Sequence, residues 1–201
     1  MHKSAAIILA AGLSQRMGPI NKLLIPIEGV PMVRRSVAAY LDVCNGKVTV
    51  VTGYQRTEVE TALNGLDVQF VFNPDFEQGQ KTSVAAGLSA SAPAQDTFIG
   101  LGDQPFLTDS HLVWLLEQHR TNKSGKITVP VQDKMRGNPL IIPLDLKARL
   151  LADHHNPGCY KFTRENPDLL NLAATQTTAF FRDIDTPQEV AALSVQEEAT
   201  S

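Results

Sequence analysis

The sequence predicts an α/β fold in which a mainly parallel β-sheet carries helices on both faces. Short apolar runs alternate along the chain with segments of helical periodicity. The first run, Ala5–Ala10, is continuously apolar, which is typical of a strand buried on both faces of a parallel sheet. Strand–helix alternation at this spacing builds βαβ units, which bind ligands at the carboxyl ends of their strands. We therefore expect functional residues at that edge of the sheet.

Each element is identified from its own pattern of apolar and turn-forming residues. The predicted strands are Ala5–Ala10, Lys47–Thr52, Val68–Phe72, Thr97–Leu101, Ile127–Val131 and Leu140–Ile142. The predicted helices are Met32–Val43, Thr57–Leu63, Thr82–Ser91, Asp109–Thr121 and Leu144–Leu151. A last helix is expected to begin near Pro187, because Thr186 and Glu189 can form a capping box there. Residues 130–139 are expected to form a long loop or a hairpin at one rim.

Length and composition exclude several classes of protein. The 201 residues suit one domain, predicted over residues 1–193, with a polar tail at 194–201. A net charge of −3 argues against nucleic acid as the main partner. Cys44 and Cys159 form no metal-ligand motif, so we expect reduced thiols. No apolar run approaches the ~18 residues that a membrane helix needs, so we expect a cytoplasmic protein with no membrane partner.

The strongest local signal is the loop after the first strand, LAAGLSQRMG at Leu9–Gly18 with Lys22 beyond it. The small residues Ala10–Gly12 would let backbone N–H groups approach a ligand closely. Arg16 and Lys22 add two positive charges, a combination that suits a polyphosphate. The spacing fits neither the Walker A loop nor the GxGxxG fingerprint. The alternative is an ordinary turn with two solvated cations.

Carboxylates follow a buried strand and recur near the end of the chain. Asp103 comes directly after the Thr97–Leu101 strand, where a carboxylate can hold Mg²⁺ against phosphate oxygens. Asp183 and Asp185 lie two apart in an extended segment and point the same way, so one of them could complete that site. The alternatives are a turn residue at Asp103 and a pair that favours the N-terminus of the following helix.

Two further loops carry polar residues. The segment Asn73–Val84, NPDFEQGQKTSV, leads into a helix at Thr82 or Ser83, where a hydroxyl is an N-cap or contacts a base or ribose. In the segment MRGNP, Arg136 stands beside Gly137 and either meets a second anionic substrate or is an exposed turn residue.

Taken together, these motifs resemble the MobA-like nucleotidyltransferase family. The resemblance spans nearly the whole chain, in order, through the segments Leu9–Gly18 with Lys22, Asn73–Val84, Gly102–Pro105, Arg136–Pro139 and Asp183–Pro187. It implies a Rossmann-like, doubly wound, nucleotide-binding fold.

The resemblance also implies a role for each matched residue. Nucleotide binding would fall to Ala10, Ala11, Gly12, Arg16, Lys22, Asn73, Gly79 and Ser83. Mg²⁺, the implied cofactor, would be held by Asp103 and Asp185, and the catalytic residues would be Arg16, Lys22 and Asp103. The second substrate would face Arg136, Gly137, Asn138 and Pro139.

Two departures from the guanylyl branch of that family favour its cytidylyl branch. Ala11 stands where the guanylyl branch usually has Gly, and Asn21 stands before Lys22 where that branch has Asp. The implied reaction transfers CMP from CTP to the phosphate of molybdopterin and releases pyrophosphate. Cytidylyl members often carry His where this chain has Asn138, so a sugar phosphate or another small phosphate stays open as acceptor. A non-catalytic escort that delivers cofactor to a molybdenum hydroxylase is the alternative of another class.

Overall fold

The computed structural model describes residues 3–122, 125–152 and 159–190. The strands are β1 Ser4–Ala10, β2 Pro26–Ile27, β3 Val30–Pro31, β4 Val48–Thr52, β5 Val68–Phe72, β6 Asp96–Leu101, β7 Ile127–Gln132, β8 Met135–Arg136, β9 Leu140–Pro143 and β10 Leu170–Ala174. The α-helices are α1 Met32–Leu41, α2 Arg56–Ala62, α3 Gln80–Ala90, α4 Asp109–Thr121, α5 Leu144–Ala152 and α6 Cys159–Glu165. All six predicted strands are therefore present.

The main sheet has the order β10-β7-β9-β6-β1-β4-β5, with β8 paired to β7, while β2 and β3 form a separate pair. Neighbouring strands are parallel except at β8 and β9, which run antiparallel to their partners. The connection from β7 to β9 is shorter than the roughly twelve residues that a parallel crossover needs. It forms the β7–β8 hairpin instead, as the sequence suggested for residues 130–139. The mainly parallel α/β sheet is confirmed.

Side chains that alternate along β1 build a core on each face of the sheet. Ala6, Ile8 and Ala10 pack in one core with residues of α1 and α4. Ile7 and Leu9 pack in the other core with residues of α3 and α5. Because both faces of β1 are covered, its sequence is continuously apolar from Ala5 to Ala10 rather than at alternate positions. The helices on both faces are confirmed.

The predicted helices differ from the observed ones by at most two residues at either end, and α4 has the predicted bounds. The short helix α6, the edge strand β10 and the two-residue strands β2 and β3 were not predicted. Beyond β10, residues 187–190 are helical. The capping box is confirmed, because Glu189 Oε2 accepts from the Thr186 amide at 2.8 Å and the Glu189 amide donates to Thr186 Oγ1 at 3.3 Å. The predicted tail, 194–201, lies outside the described residues.

The order of the strands places a crevice beside β1. The chain passes from β1 to β4 and β5 on one side, and then returns to form β6 on the other side. In such sheets the ligand binds where the direction of winding changes. The amide of Gly102 donates to the Leu9 carbonyl at 3.0 Å and joins the ends of β6 and β1. None of the helices in the described ranges is long and apolar enough to span a membrane.

We expect Tyr40→Phe to stabilise the fold. The Tyr40 hydroxyl is buried and has no hydrogen-bond partner among the described residues, and an unpaired buried hydroxyl costs about 1–3 kcal/mol. A Cβ at Gly100 would lie 2.2 Å from Tyr40 Oη, so Gly100→Ala should lower the free energy of unfolding by about 1–3 kcal/mol. That loss should shrink in the Tyr40→Phe background. Urea unfolding of the two variants and their double mutant measures both effects, and a less stable Tyr40→Phe would contradict the first.

Candidate active site

The first loop is folded by hydrogen bonds that bring Lys22 back toward the end of β1. Ser14 adopts a left-handed backbone conformation, with φ 52°, and turns the chain into a short 3₁₀ segment at Gln15–Met17. The Lys22 amide donates to Ser14 Oγ at 3.2 Å. The Asn21 side chain accepts from the Ser14 hydroxyl at 3.3 Å and from the Leu23 amide at 3.1 Å. Asn21 therefore acts on the loop by fixing its shape.

Lys22 lies between two carboxylates that come from distant parts of the chain. Its Nζ is 2.5 Å from Asp103 Oδ2 and 2.5 Å from Asp185 Oδ1. The side chains of Lys22 and Asp103 are only 13% and 15% exposed. Arg16 Nη2 contacts the other oxygen of Asp185 at 2.9 Å, but the Arg16 side chain is 69% exposed. The structure thus brings together four residues that the sequence singled out separately.

The charges in this cluster shift one another's pKa values. Burial raises the pKa of Asp103; Lys22 opposes that shift, while Asp183 and Asp185 add to it, and the pKa stays above its usual value. Burial alone would lower the pKa of Lys22, but the two carboxylates outweigh it and raise that pKa. Burial also acts to raise the pKa of Asp185, yet Lys22 and Arg16 together hold it below its usual value. A protonated lysine is therefore favoured here.

Asp183 and Asp185 are held by the buried residue between them. The Ile184 amide donates to the Asp103 carbonyl at 3.1 Å, and the Ile184 side chain packs in a small core with Ile27 and Met32. Because the segment is extended, the residues on either side of Ile184 point the same way. The ligand oxygens of Asp103, Asp183 and Asp185 lie within 4.8 Å of one another.

The acidic cluster fits a divalent cation. It offers carboxylate oxygens, the ligands that Mg²⁺ prefers. Asp103 Oδ1 is buried and has no hydrogen-bond partner among the described residues, so a cation would satisfy it. The sequence assigned the metal to Asp103 and Asp185; the geometry adds Asp183 as a third residue that could hold it. The Asp-x-Asp spacing was the signal for this third carboxylate.

A cavity of about 1560 Å³ opens beside the cluster at the carboxyl edge of the sheet. The predicted site residues that line it are Ala11, Gly12, Arg16, Lys22, Gly79, Ser83, Asp103, Arg136, Gly137, Asn138 and Asp185. Those outside its lining are Ala10, Asn73 and Pro139. A cavity of this size has room for a nucleotide and a second substrate, since ligand pockets generally measure about 300–1,000 Å³.

Asn73 lies behind the cavity wall and organises the loop of its segment. It is 2% exposed, and its amide nitrogen donates to Thr82 Oγ1 at 2.9 Å and to Ser83 Oγ at 3.0 Å. Its oxygen accepts from the Asp75 amide at 3.0 Å. Asn73 therefore positions Ser83, which faces the cavity, rather than lining the cavity itself. The sequence alone does not distinguish a polar side chain that binds its own loop from one that binds a ligand.

The Arg136–Pro139 segment lies against the 3₁₀ turn at Thr178–Phe181. The Asn138 amide donates to the Phe180 carbonyl at 2.8 Å. A Cβ at Gly137 would lie 2.5 Å from that same carbonyl oxygen, so glycine is required by the close approach of the two backbones. Arg136 Nη1 donates to the Thr163 carbonyl of α6 at 3.3 Å. The segment thus joins β8 to α6 at the wall of the cavity.

The cavity residues on this wall that were not singled out in the sequence include Lys134, Tyr160, Lys161 and Arg164. From the sequence, residues 130–139 are expected to form a long loop or a hairpin at one rim, and the resemblance assigns only Arg136 to Pro139 to the second substrate. The sequence did not predict helix α6. Without that helix, the side chains of residues 160–164 could not be assigned to a face that lines the cavity.

Nucleotide-dependent group transfer is the class of reaction that this fold and site define. The chain matches the MobA-like NTP transferase domain over residues 6–170. It belongs to that family.

Two curated relatives match almost the full length of the chain. Molybdenum cofactor cytidylyltransferase of Escherichia coli strain K12 is 29% identical over 200 residues, covering 91% of each chain. Nicotine blue oxidoreductase of Paenarthrobacter nicotinovorans is 26% identical over 189 residues, covering 92% of this chain and 93% of that one. A solved nucleotidyl transferase from Methanothermobacter thermautotroptrophicus has the same fold, with a TM-score of 0.81, 22% identity and full coverage of both chains.

We expect Gly12→Ala to weaken the binding of a nucleoside triphosphate without destabilising the fold. A Cβ at Gly12 would have no heavy atom within 4 Å, but Gly12 lines the cavity. A methyl group there would hold phosphates away from the backbone, and the affinity should fall about tenfold, which corresponds to ~1.4 kcal/mol. Calorimetric titration and thermal unfolding measure the two effects.

Gly53→Ala is the comparison for the stability measurement. A Cβ at Gly53 would lie 2.7 Å from Phe76 Cβ and 2.8 Å from the Ala11 carbonyl oxygen, so this variant should lose stability. If Gly12→Ala bound the nucleotide as tightly as the wild type, the first loop would not be the phosphate site.

Proposed function

We propose that the domain predicted over residues 1–193 transfers CMP from CTP to the phosphate of molybdopterin and releases pyrophosphate. The protein would act in the cytoplasm, with CTP and molybdopterin as its small-molecule partners. A molybdenum hydroxylase would receive the product. The similarity to a molybdenum cofactor cytidylyltransferase along 91% of the chain supports this choice of donor and acceptor, as do Ala11 and Asn21 in the first loop.

One observation carries the proposal: the Lys22 ammonium contacts Asp103 and Asp185 where the first loop lines the cavity. Transfer of a nucleotidyl group concentrates negative charge where the acceptor, the α-phosphate and the pyrophosphate meet. Stabilisation of such charge needs fixed cations in a site that excludes water. A lysine that is only 13% exposed is suited to that role.

The reaction needs no nucleophile from the protein. An oxygen of the acceptor phosphate attacks the α-phosphorus of CTP, the bond from that phosphorus to the bridging oxygen breaks, and pyrophosphate leaves with the electron pair. The protein's task is to align the two phosphates and to neutralise their charge. Arg16, the more exposed cation, grips phosphates that are already present in the ground state. Lys22 acts on the α-phosphate as charge develops there.

Mg²⁺ is the cation we propose for Asp103 and Asp185, with Asp183 as the further carboxylate. When bound, it supplies a Lewis acid that neutralises phosphate oxygens. Lys22 contacts both proposed ligand residues, so its ammonium and the metal compete for the same oxygens. With Asp103 and Asp185 holding the metal, the Lys22 ammonium would be available to the substrate phosphates.

The remaining contacts follow from the lining of the cavity. Gly79 and Ser83 would contact the base and ribose of CTP, with Asn73 positioning the Ser83 hydroxyl. Ala10 would hold the end of β1 in place while the backbone of Ala11 and Gly12 meets the phosphates. Arg136, Gly137 and Asn138 would face the acceptor, and Pro139 would support them from outside the cavity lining.

The test is a panel of the four ribonucleoside triphosphates, each with molybdopterin or a common sugar phosphate, scored by pyrophosphate release. We expect CTP with molybdopterin to react fastest and GTP to react poorly. Asp103→Asn, which keeps the shape of the side chain and loses its charge, should remove most of this activity. Preference for GTP would move the protein to guanylyl transfer, and a sugar phosphate as the best acceptor would replace molybdopterin.

Binding of CTP and molybdopterin without pyrophosphate release would support the escort alternative instead. One relative is named an oxidoreductase, so the panel includes a reduced nicotinamide cofactor with an electron acceptor. Oxidation of that cofactor without nucleotidyl transfer would overturn the proposal.

We expect Lys22→Met to bind Mg²⁺ more tightly in the absence of nucleotide and to react more slowly. The variant removes a competing charged hydrogen bond worth ~1.5–3 kcal/mol, so the dissociation constant for the metal should fall about tenfold or more. Loss of a fixed charge at the reacting phosphate should lower kcat by ~100- to 1000-fold.

Calorimetry with the metal alone and steady-state kinetics separate these two effects. Lys47→Met, a change at an exposed lysine of the loop before β4, is the control and should alter neither. An unchanged metal affinity would show that Lys22 does not compete with the ion, and a normal kcat would remove it from the chemistry.

A further inference from the structure

Two large apolar side chains that are exposed in the described part of the chain line the cavity. Met135 on β8 is 55% exposed, and Tyr160 on α6 is 71% exposed. Both stand among cations, because Lys134 and Arg136 flank Met135 and Lys161 follows Tyr160. Exposed apolar groups cost free energy in water, and at the wall of a cavity they mark a surface that a ligand covers. The proposed role of Arg136 does not account for the exposed ring.

The Arg164 guanidinium lies over one face of the Tyr160 ring. Its Cζ atom lies 4.3 Å from the centre of the ring, and the two residues are one helical turn apart on α6. A planar guanidinium can rest on an aromatic face while its N–H groups bind a phosphate. The pair therefore presents a ring and a phosphate-binding fork together, on a helix that Arg136 ties to β8 through the Thr163 carbonyl.

We propose that Tyr160 and Arg164 select the acceptor, which is a phosphorylated planar heterocycle and not a sugar phosphate. The fused ring of the acceptor stacks on Tyr160, and its phosphate pairs with Arg164. This inference rests on the proposed nucleotidyl transfer, which already names a pterin phosphate as the acceptor, and adds to it two residues that select that acceptor.

Stacking distinguishes the two classes of acceptor that the sequence left open. A planar heterocycle stacked on an aromatic side chain gains about 1–3 kcal/mol. A sugar ring has no π face and therefore gains less than a flat heterocycle on Tyr160, while its hydroxyl groups lose water against the aromatic surface. The cations serve a phosphate on either molecule, so the discrimination comes from the ring of Tyr160.

The experiment measures the binding of 6-(hydroxymethyl)pterin phosphate through its own fluorescence. Tyr160→Ala should weaken that binding about tenfold, the factor that corresponds to ~1.4 kcal/mol, and Tyr160→Phe should retain it. Arg164→Gln should also weaken it and reduce its dependence on salt, because one phosphate contact is lost. Glucose 1-phosphate should not displace the probe at a matched concentration.

Phe72→Ala is the matched control. Phe72 on β5 is also an exposed aromatic residue, at 43%, with the Arg56 guanidinium 5.1 Å from its ring centre, and it lies outside the cavity lining. This variant should bind the pterin phosphate like the wild type.

In the transfer assay, Tyr160→Ala should raise the KM for the acceptor and leave the KM for CTP unchanged.

Two outcomes would overturn the inference. In the first, Tyr160→Ala binds the probe as tightly as the wild type. In the second, glucose 1-phosphate at equal concentration displaces the probe. Both are independent of nucleotidyl transfer. If pyrophosphate is released but Tyr160→Ala binds the probe as tightly as Tyr160→Phe does, the inference fails and the proposed function stands. If the probe binds through Tyr160 but no nucleoside triphosphate reacts, the inference stands and the proposed function fails.

Discussion

The contact of Lys22 with Asp103 and Asp185 joins three segments that are far apart in the sequence. Each segment has its own reason to be there: the first loop is folded by Ser14 and Asn21, Asp103 follows the central strand β6, and Asp185 is placed by its buried neighbour. None of these charges is stable alone at such burial, because an unpaired buried charge is strongly disfavoured. The cluster exists because the winding of the sheet brings the ends of β1 and β6 together.

The mutual dependence of these charges also determines how the site would bind a cation and a nucleotide. In the proposed reaction, a cation held by the carboxylate cluster would release Lys22, and the free ammonium would then attract phosphate. Metal and nucleotide would thereby favour each other's binding through one side chain, and such a coupling is reciprocal, as linkage requires.

The sequence predicted the sheet and the helices because each follows from a strong local pattern. It singled out Arg16, Lys22 and Asp103 beyond the ends of two strands, whereas Asp185 was assigned to the metal through the resemblance. Apolar runs identify strands, and a charge placed directly after a strand lies at the ligand edge. It did not predict α6 and β10, which are short and lie at the edge of the fold, where few apolar residues are needed. Nor could it show that Asn73 faces inward, since hydrogen bonds within a loop leave no periodic signal. The metal and the acceptor residues stay predictions from the resemblance.

Ile184 shows how an apolar residue controls the electrostatics of this site. It binds the backbone of Asp103 through its amide and is anchored in a core of its own, so the two aspartates beside it project together toward the cavity. A change in the size or shape of this one hydrocarbon side chain thus alters the relative positions of carboxylates that are several bonds away. Relatives that keep both aspartates but repack the core beneath them would differ in the spacing of these carboxylates with every acidic residue unchanged.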